Sequence, residues 1–171
     1  MVISLIAIYI FIPENNDSLM VQSRHVDLIE GESYRVKRVI DGDTIVIVIH
    51  DHEYTVRMLG INTPETVDPR KPAECFGKQA SDETKKILTD KQVTIETDDI
   101  VGQFDKYNRL LAYINLNNKN INAYLIEQGF AREYTYDTDK PYSKRQTFKQ
   151  LQKEAKKNKR GLWGECEMKT R

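Results

Sequence analysis

The sequence predicts an α+β fold: a small β-barrel of five strands carrying three α-helices. Three observations predict it. Residues 33–60 read as three short strands in succession, two further apolar runs follow later, and helical spacing separates and follows those runs. At 171 residues with 39% hydrophobic content, the chain has enough apolar material for one core and its flanks.

The elements follow in order. Ser33–Ile40 alternates, with Tyr34, Val36 and Val39 as its apolar positions. Thr44–Ile49, TIVIVI, is β-branched and apolar on both faces, which predicts a well-buried strand. His50-Asp51-His52-Glu53 is the turn, and Tyr54, Val56 and Met58 then alternate with Thr55, Arg57 and Leu59, so the three strands form an antiparallel meander. A helix is expected over about Gly77–Leu88, and strands over Val93–Thr97 and Arg109–Asn115. Asn120–Gln128 reads as a helix with Ile121, Tyr124, Leu125 and Ile126 inward and Gly129 as terminator. In the last helix Phe148, Leu151 and Ala155 recur at spacings of three and four, with Gly161 as its stop. Five short strands with interposed and trailing helices suit a closed barrel of the oligonucleotide-binding type.

Composition and charge exclude several classes. The only long apolar run is Met1–Ile12, about a dozen residues where a membrane helix needs roughly 20, so a polytopic membrane protein is ruled out. That run matches the apolar part of an export signal or the remnant of a membrane anchor; the plainer alternative is a buried Ile-rich strand. A polar linker is expected over 13–31, the folded domain over 32–166 and a tail over 167–171, and we expect a protein secreted or anchored at the outer face of a membrane. Net charge is +0, so a nucleic-acid partner cannot be argued from total charge. Distribution is another matter: Asp139–Arg171 carries about +7, which can steer a polyanion or simply form a solvated helix face. No glycine-rich phosphate loop is present, and two cysteines are too few for a four-Cys zinc site.

Four stretches carry candidate chemistry: Ile40-Asp41-Gly42-Asp43-Thr44, Arg57 through Thr66 (RMLGINTPET), Asp105-Lys106-Tyr107-Asn108-Arg109, and Gly161-Leu162-Trp163. Asp41-Gly42-Asp43 is a turn signal by itself. Arg57 interrupts an apolar strand, and a charge there needs a partner or a ligand. Two arginines and two carboxylates suit phosphodiester hydrolysis. Arginine pairs with phosphate in a bidentate fork, a carboxylate can activate water, and carboxylate, amide and carbonyl oxygens suit calcium. None of the three histidines lies in these stretches, and His50 and His52 read as turn residues.

Taken in this order, the four stretches make the chain resemble the staphylococcal nuclease (thermonuclease) family, from about Tyr34 to Trp163. The resemblance implies a five-stranded barrel with three helices and a calcium-dependent phosphodiesterase that cuts DNA and RNA to 3′-phosphate ends. It implies metal ligands at Asp43, Asn62 and the Thr63 carbonyl, with Glu65 activating water and Arg57 and Arg109 on the scissile phosphate. It places Lys106 and Tyr107 beside the nucleotide. Tyr134 and Tyr136 fall near the family's base-stacking tyrosines, across a segment one residue shorter here; packing on the barrel is the alternative for both. The chain departs from the archetype at Asn62, where a second metal-ligating aspartate is expected; amide for carboxylate predicts weaker calcium binding. Under this fold Cys75 and Cys166 are candidates for a disulfide, the alternative being two free thiols. Substrates are expected to be single-stranded or unstructured DNA and RNA, bound by a monomer with no obligate protein partner. The competing function is an OB-fold module that binds single strands and cuts weakly or not at all.

Overall fold

The computed structural model describes residues 25–29, 31–66 and 72–166. The apolar run 1–12, most of the linker and the tail 167–171 lie outside the described residues. Five strands close into a barrel: β1 (Ser33–Asp41), β2 (Thr44–Ile49), β3 (His52–Met58), β5 (Gln92–Glu96) and β6 (Leu110–Leu116). The sheet runs β3-β2-β1-β5-β6, and a parallel β3–β6 pairing closes it through Val56↔Leu110, Arg57↔Leu111 and Met58↔Ala112. Alternation predicts the antiparallel meander but not this parallel seam, because strand pairing at closure is non-local. β2 is buried along almost its whole length, as its two-sided apolar pattern requires. β1 carries irregularities between Val36 and Arg38 and between Val39 and Asp41, so its alternation drifts and Val39 is only half-buried.

The β2–β3 turn is two residues, not four. His50 and Asp51 take φ of 46° and 64°, the left-handed pair that a tight hairpin demands, and His52 already opens β3. Short strands β4 (Ile61–Asn62) and β8 (Arg132–Glu133) pair with each other, and β7 (Lys119–Asn120) extends the sheet beside β6. Two-residue strands leave no periodic trace, and none of these was expected.

Three helices pack on the barrel: α1 (Gly77–Leu88), α2 (Ile121–Glu127) and α3 (Arg145–Lys157). Asn120 caps α2, its side-chain oxygen accepting from the Ala123 amide at 2.8 Å. Asn122, not Tyr124, is the polar residue that turns inward on α2. It accepts from the Ile114 amide and donates to the Leu59 and Ala112 carbonyls, fixing the helix to the barrel, while Tyr124 is half-buried. α3 ends at Lys157, so Gly161 is not its stop. Gly161 instead opens a fourth single-turn helix, α4 (Leu162–Glu165), with φ +50 and no room for a Cβ against the Gly129 carbonyl oxygen at 2.5 Å. Buried Asp98 anchors the approach to α3 by accepting from Tyr113 Oη and from both the amide and hydroxyl of Ser143. Burial pushes its carboxyl up, but the bonds from Ser143, Tyr113 and Ile100 outweigh that and hold it below the usual range.

Cys75 and Cys166 form a disulfide spanning 91 positions. It ties the segment after α4 to the segment preceding α1. Reduction is expected to lower stability by about 4 kcal/mol in the chain-entropy model, seen as a lower urea midpoint with reductant than without. An unchanged midpoint would assign the bridge no share of stability.

Candidate active site

All ten residues named as candidate site positions line one cleft of about 1040 Å³ at the barrel mouth: Asp43, Arg57, Asn62, Thr63, Glu65, Lys106, Tyr107, Arg109, Tyr134 and Tyr136. They arrive from five places in the chain. Asp43 sits in the Gly42-Asp43 turn between β1 and β2. Arg57 comes from β3, where its neighbour in register is Thr44. Asn62 ends β4, and Thr63, Pro64 and Glu65 continue into the following loop. The turn before β6 brings Lys106, Tyr107 and Arg109, and the segment after β8 brings the two later tyrosines.

Asp43 is the hub of the polar floor. One carboxylate oxygen accepts from the Thr63 amide at 2.9 Å, and the other from the Thr44 hydroxyl at 3.0 Å. Arg57 Nη2 lies 3.1 Å from Asp43 Oδ2 and 3.1 Å from Asn62 Oδ1, and Nη1 donates to the Met58 carbonyl at 2.8 Å. This explains how an arginine survives in an apolar strand: its guanidinium is largely enclosed but bridges a carboxylate, an amide and a carbonyl. The Gly42 position permits the close approach, since a Cβ there would lie 2.8 Å from the Thr63 side chain. α1 holds the turn from below, with Thr84 Oγ1 donating to the Gly42 carbonyl at 2.7 Å.

Arg109 is held by a loop that closes on itself. Asp105 Oδ2 lies 2.7 Å from both Nε and Nη2 of Arg109, while Asp105 Oδ1 accepts from the Tyr107 and Arg109 amides. Asn108 takes φ 63° to complete the turn. Tyr107, Tyr134 and Tyr136 are 68%, 46% and 74% exposed, so none is a barrel-packing ring and the packing alternative is set aside for Tyr134 and Tyr136. Lys106 and Arg109 both lie against the Tyr107 ring, and the neighbouring Tyr107 and Tyr136 hold the Lys106 ammonium above its usual range.

Glu65 stands where the loop meets the start of α1. Its amide donates to Glu74 Oε2 at 3.3 Å, and its carbonyl accepts from the Glu74 amide at 2.9 Å. Its own Oε1 accepts from the Thr66 amide at 2.8 Å. Gly77 admits this contact, since a Cβ would press on the Glu65 carbonyl oxygen at 3.0 Å. The disulfide therefore fixes a segment in direct contact with Glu65.

Six charged cleft residues were not among the sequence candidates: Asp41, Glu74, Asp99, Asp105, Asp137 and Lys140. Asp41 and Asp105 lay inside the quoted motifs, and an acidic residue four positions before an arginine was the available signal for Asp105. Glu74 and Lys140 gave no signal, because only the loops' return to the barrel brings them in. Asp41 is buried and accepts from Thr66 Oγ1 at 2.6 Å. Its carboxyl is pushed up chiefly by burial, and the negative charges of Asp43 and Glu65 add to the rise.

This corner suits a hard divalent cation. It offers carboxylate, amide and carbonyl oxygens with no histidine or cysteine, the charges of Asp43 and Glu65 add to the rise of the Asp41 carboxyl, and the buried Thr63 hydroxyl has no hydrogen-bond partner. Among the described residues no three His, Cys, Asp or Glu side chains converge to cage a metal, so an ion held here must also draw on neutral oxygens.

This chain is similar to known proteins over most of its length. The family model described as "Staphylococcal nuclease homologue" matches residues 55–165. The thermonuclease of Staphylococcus intermedius is 44% identical over 135 residues, covering 79% of this chain and 78% of that protein. The thermonuclease of Staphylococcus hyicus is 41% identical over 132 residues, covering 77% and 76%. Endonuclease YncB of Bacillus subtilis is 35% identical over 127 residues, covering 74% of this chain and 59% of YncB. With this fold, this cleft and these matches, the chain belongs to the staphylococcal nuclease family.

Proposed function

We propose that this protein is a calcium-dependent nuclease that hydrolyses the phosphodiester bonds of DNA and RNA and leaves 3′-phosphate ends. Relatives named thermonuclease and endonuclease make it a nuclease. The observation that carries the finer reading is that Asp43, Arg57, Glu65 and Arg109 line the same cleft. Asp43, Asn62 and the Thr63 carbonyl are the residues that would hold calcium, which when bound neutralises charge on a phosphoryl oxygen. Glu65 takes a proton from the attacking water. Arg57 and Arg109 bind the phosphate oxygens and stabilise the charge that grows on them. The bond from phosphorus to the 5′ oxygen breaks, giving a 3′-phosphate and a 5′-hydroxyl. Lys106 and Tyr107 flank the nucleotide, and Tyr134 and Tyr136 offer exposed ring faces to unpaired bases. These faces favour single-stranded or unstructured substrates. The Cys75–Cys166 disulfide supports work in an oxidising place, as a protein secreted or held at the outer face of a membrane.

The test is digestion of single-stranded DNA and RNA with calcium or with chelator, with analysis of the new ends. Cleavage that ignores chelator, or that leaves 5′-phosphates, would overturn the reading; binding without cleavage would favour the strand-binding module instead. Asn62→Asp is expected to tighten calcium binding roughly tenfold in a direct titration, because a second full charge faces the ion. Unchanged affinity would remove Asn62 from the ligand set.

A further inference from the structure

Seven carboxylates and four cationic side chains line the cleft. A bound divalent ion leaves it slightly negative. A polyanion is therefore poorly attracted by the cleft itself, and affinity for a long strand must come from another surface.

That surface is on α3. Phe148 and Ala155 turn inward, with Leu151 and Gln152 half-buried beside them. At about 100° per residue, Arg145, Lys156, Lys149, Lys153 and Lys157 fall in that order within one arc of roughly 120° on the flank of this buried stripe. Lys149, Lys153 and Lys157 are exposed, and among the described residues no ion pair engages them. Glu154, the helix's one acidic residue, lies outside the arc and is engaged by Gln150 and Asn158.

The arc is continuous with the cleft. Arg145 Nε donates to the hydroxyl of Thr135, a cleft-lining residue between the two exposed tyrosines. Gln152 accepts from the Glu133 amide just before them. At the far end Lys156 lies over the Trp163 ring, which Arg132 of β8 also faces. From Arg145 to Lys157 the helix rises about 18 Å, the axial length of roughly five phosphates on one strand.

Resting on the nuclease reading, we propose that this arc is an exosite for the phosphate backbone of a nucleic-acid strand leaving the cleft past Tyr134 and Tyr136. It makes the enzyme prefer long substrates over short ones. An anionic membrane fits the arc less well: the apolar side of α3 is buried in the fold, leaving no face to insert among lipids.

The test compares the full chain with the triple variant Lys149→Gln, Lys153→Gln, Lys157→Gln. Binding of a labelled single-stranded oligonucleotide of about 24 nucleotides is followed by anisotropy in chelator over a range of salt. Cleavage of that strand and of a tetranucleotide is followed in calcium. The triple variant is expected to bind the long strand roughly tenfold more weakly at low salt. Its log-affinity against log-salt slope should fall by about 2, near 0.7 per lysine removed. Tetranucleotide cleavage should hold, because a substrate that short ends inside the cleft. The triple Lys→Glu variant should weaken long-strand binding further. Unchanged long-strand affinity and slope would overturn the exosite, as would an equal loss on the tetranucleotide. So would lost binding to phosphatidylserine vesicles with long-strand binding intact. A wild-type chain that binds the long strand through these lysines but cuts neither substrate would overturn the nuclease reading and leave the exosite standing.

Discussion

Glu65→Gln is expected to lower kcat by roughly 10²- to 10⁴-fold, the span attributed to a positioned general base. Gln is nearly isosteric and keeps an Oε1 that can accept from the Thr66 amide, so the loop should hold its shape. The contacts to Glu74 run largely through the Glu65 backbone and survive the change. What is lost is the capacity to take a proton from water. Substrate affinity should hold or rise, since one negative charge leaves a cleft already rich in carboxylates. Steady-state kinetics on a single-stranded substrate in saturating calcium separates the two parameters. A variant with wild-type kcat would remove Glu65 as the base. A variant with normal kcat and raised KM would make it a binding group.

The barrel was legible because its strands are short, alternating and β-branched, and TIVIVI is β-branched at every position. What closes the barrel was not: the β3–β6 seam joins residues more than fifty positions apart, and no local pattern records which edges will meet. The motif residues named at the cleft were legible because a charge inside an apolar strand must be answered, and Arg57 is answered by Asp43 and Asn62. The residues that support the cleft were harder to see. Asp105 looks like any loop aspartate until its side chain is found on Arg109, and Glu74 becomes relevant only when the loop after Glu65 returns to it. The end of α3 was misread at Gly161 because a glycine with positive φ can open a turn as readily as close a helix.

Arg57 separates two roles that a single substitution would confuse. Arg57→Ala removes the group proposed to bind phosphate and leaves nearly buried Asp43 without its cation, so both activity and stability should fall. The activity loss is expected to be at least 10²-fold in kcat/KM, as for other lost transition-state donors, and the stability loss about 3 kcal/mol. Arg57→Lys keeps the charge but not the fork. It can answer Asp43 or the Met58 carbonyl, but it cannot bridge Asp43 and Asn62 and also offer a planar pair of donors to phosphate. The lysine variant should therefore recover most of the urea midpoint while staying at least tenfold below wild type in kcat/KM. Asp43→Asn on the Arg57→Ala background tests the coupling, because it removes the stranded charge and should return part of the lost stability without returning activity. Full activity in the lysine variant would reduce Arg57 to a structural counterion, and the burden of holding the phosphate would then fall on Arg109 alone.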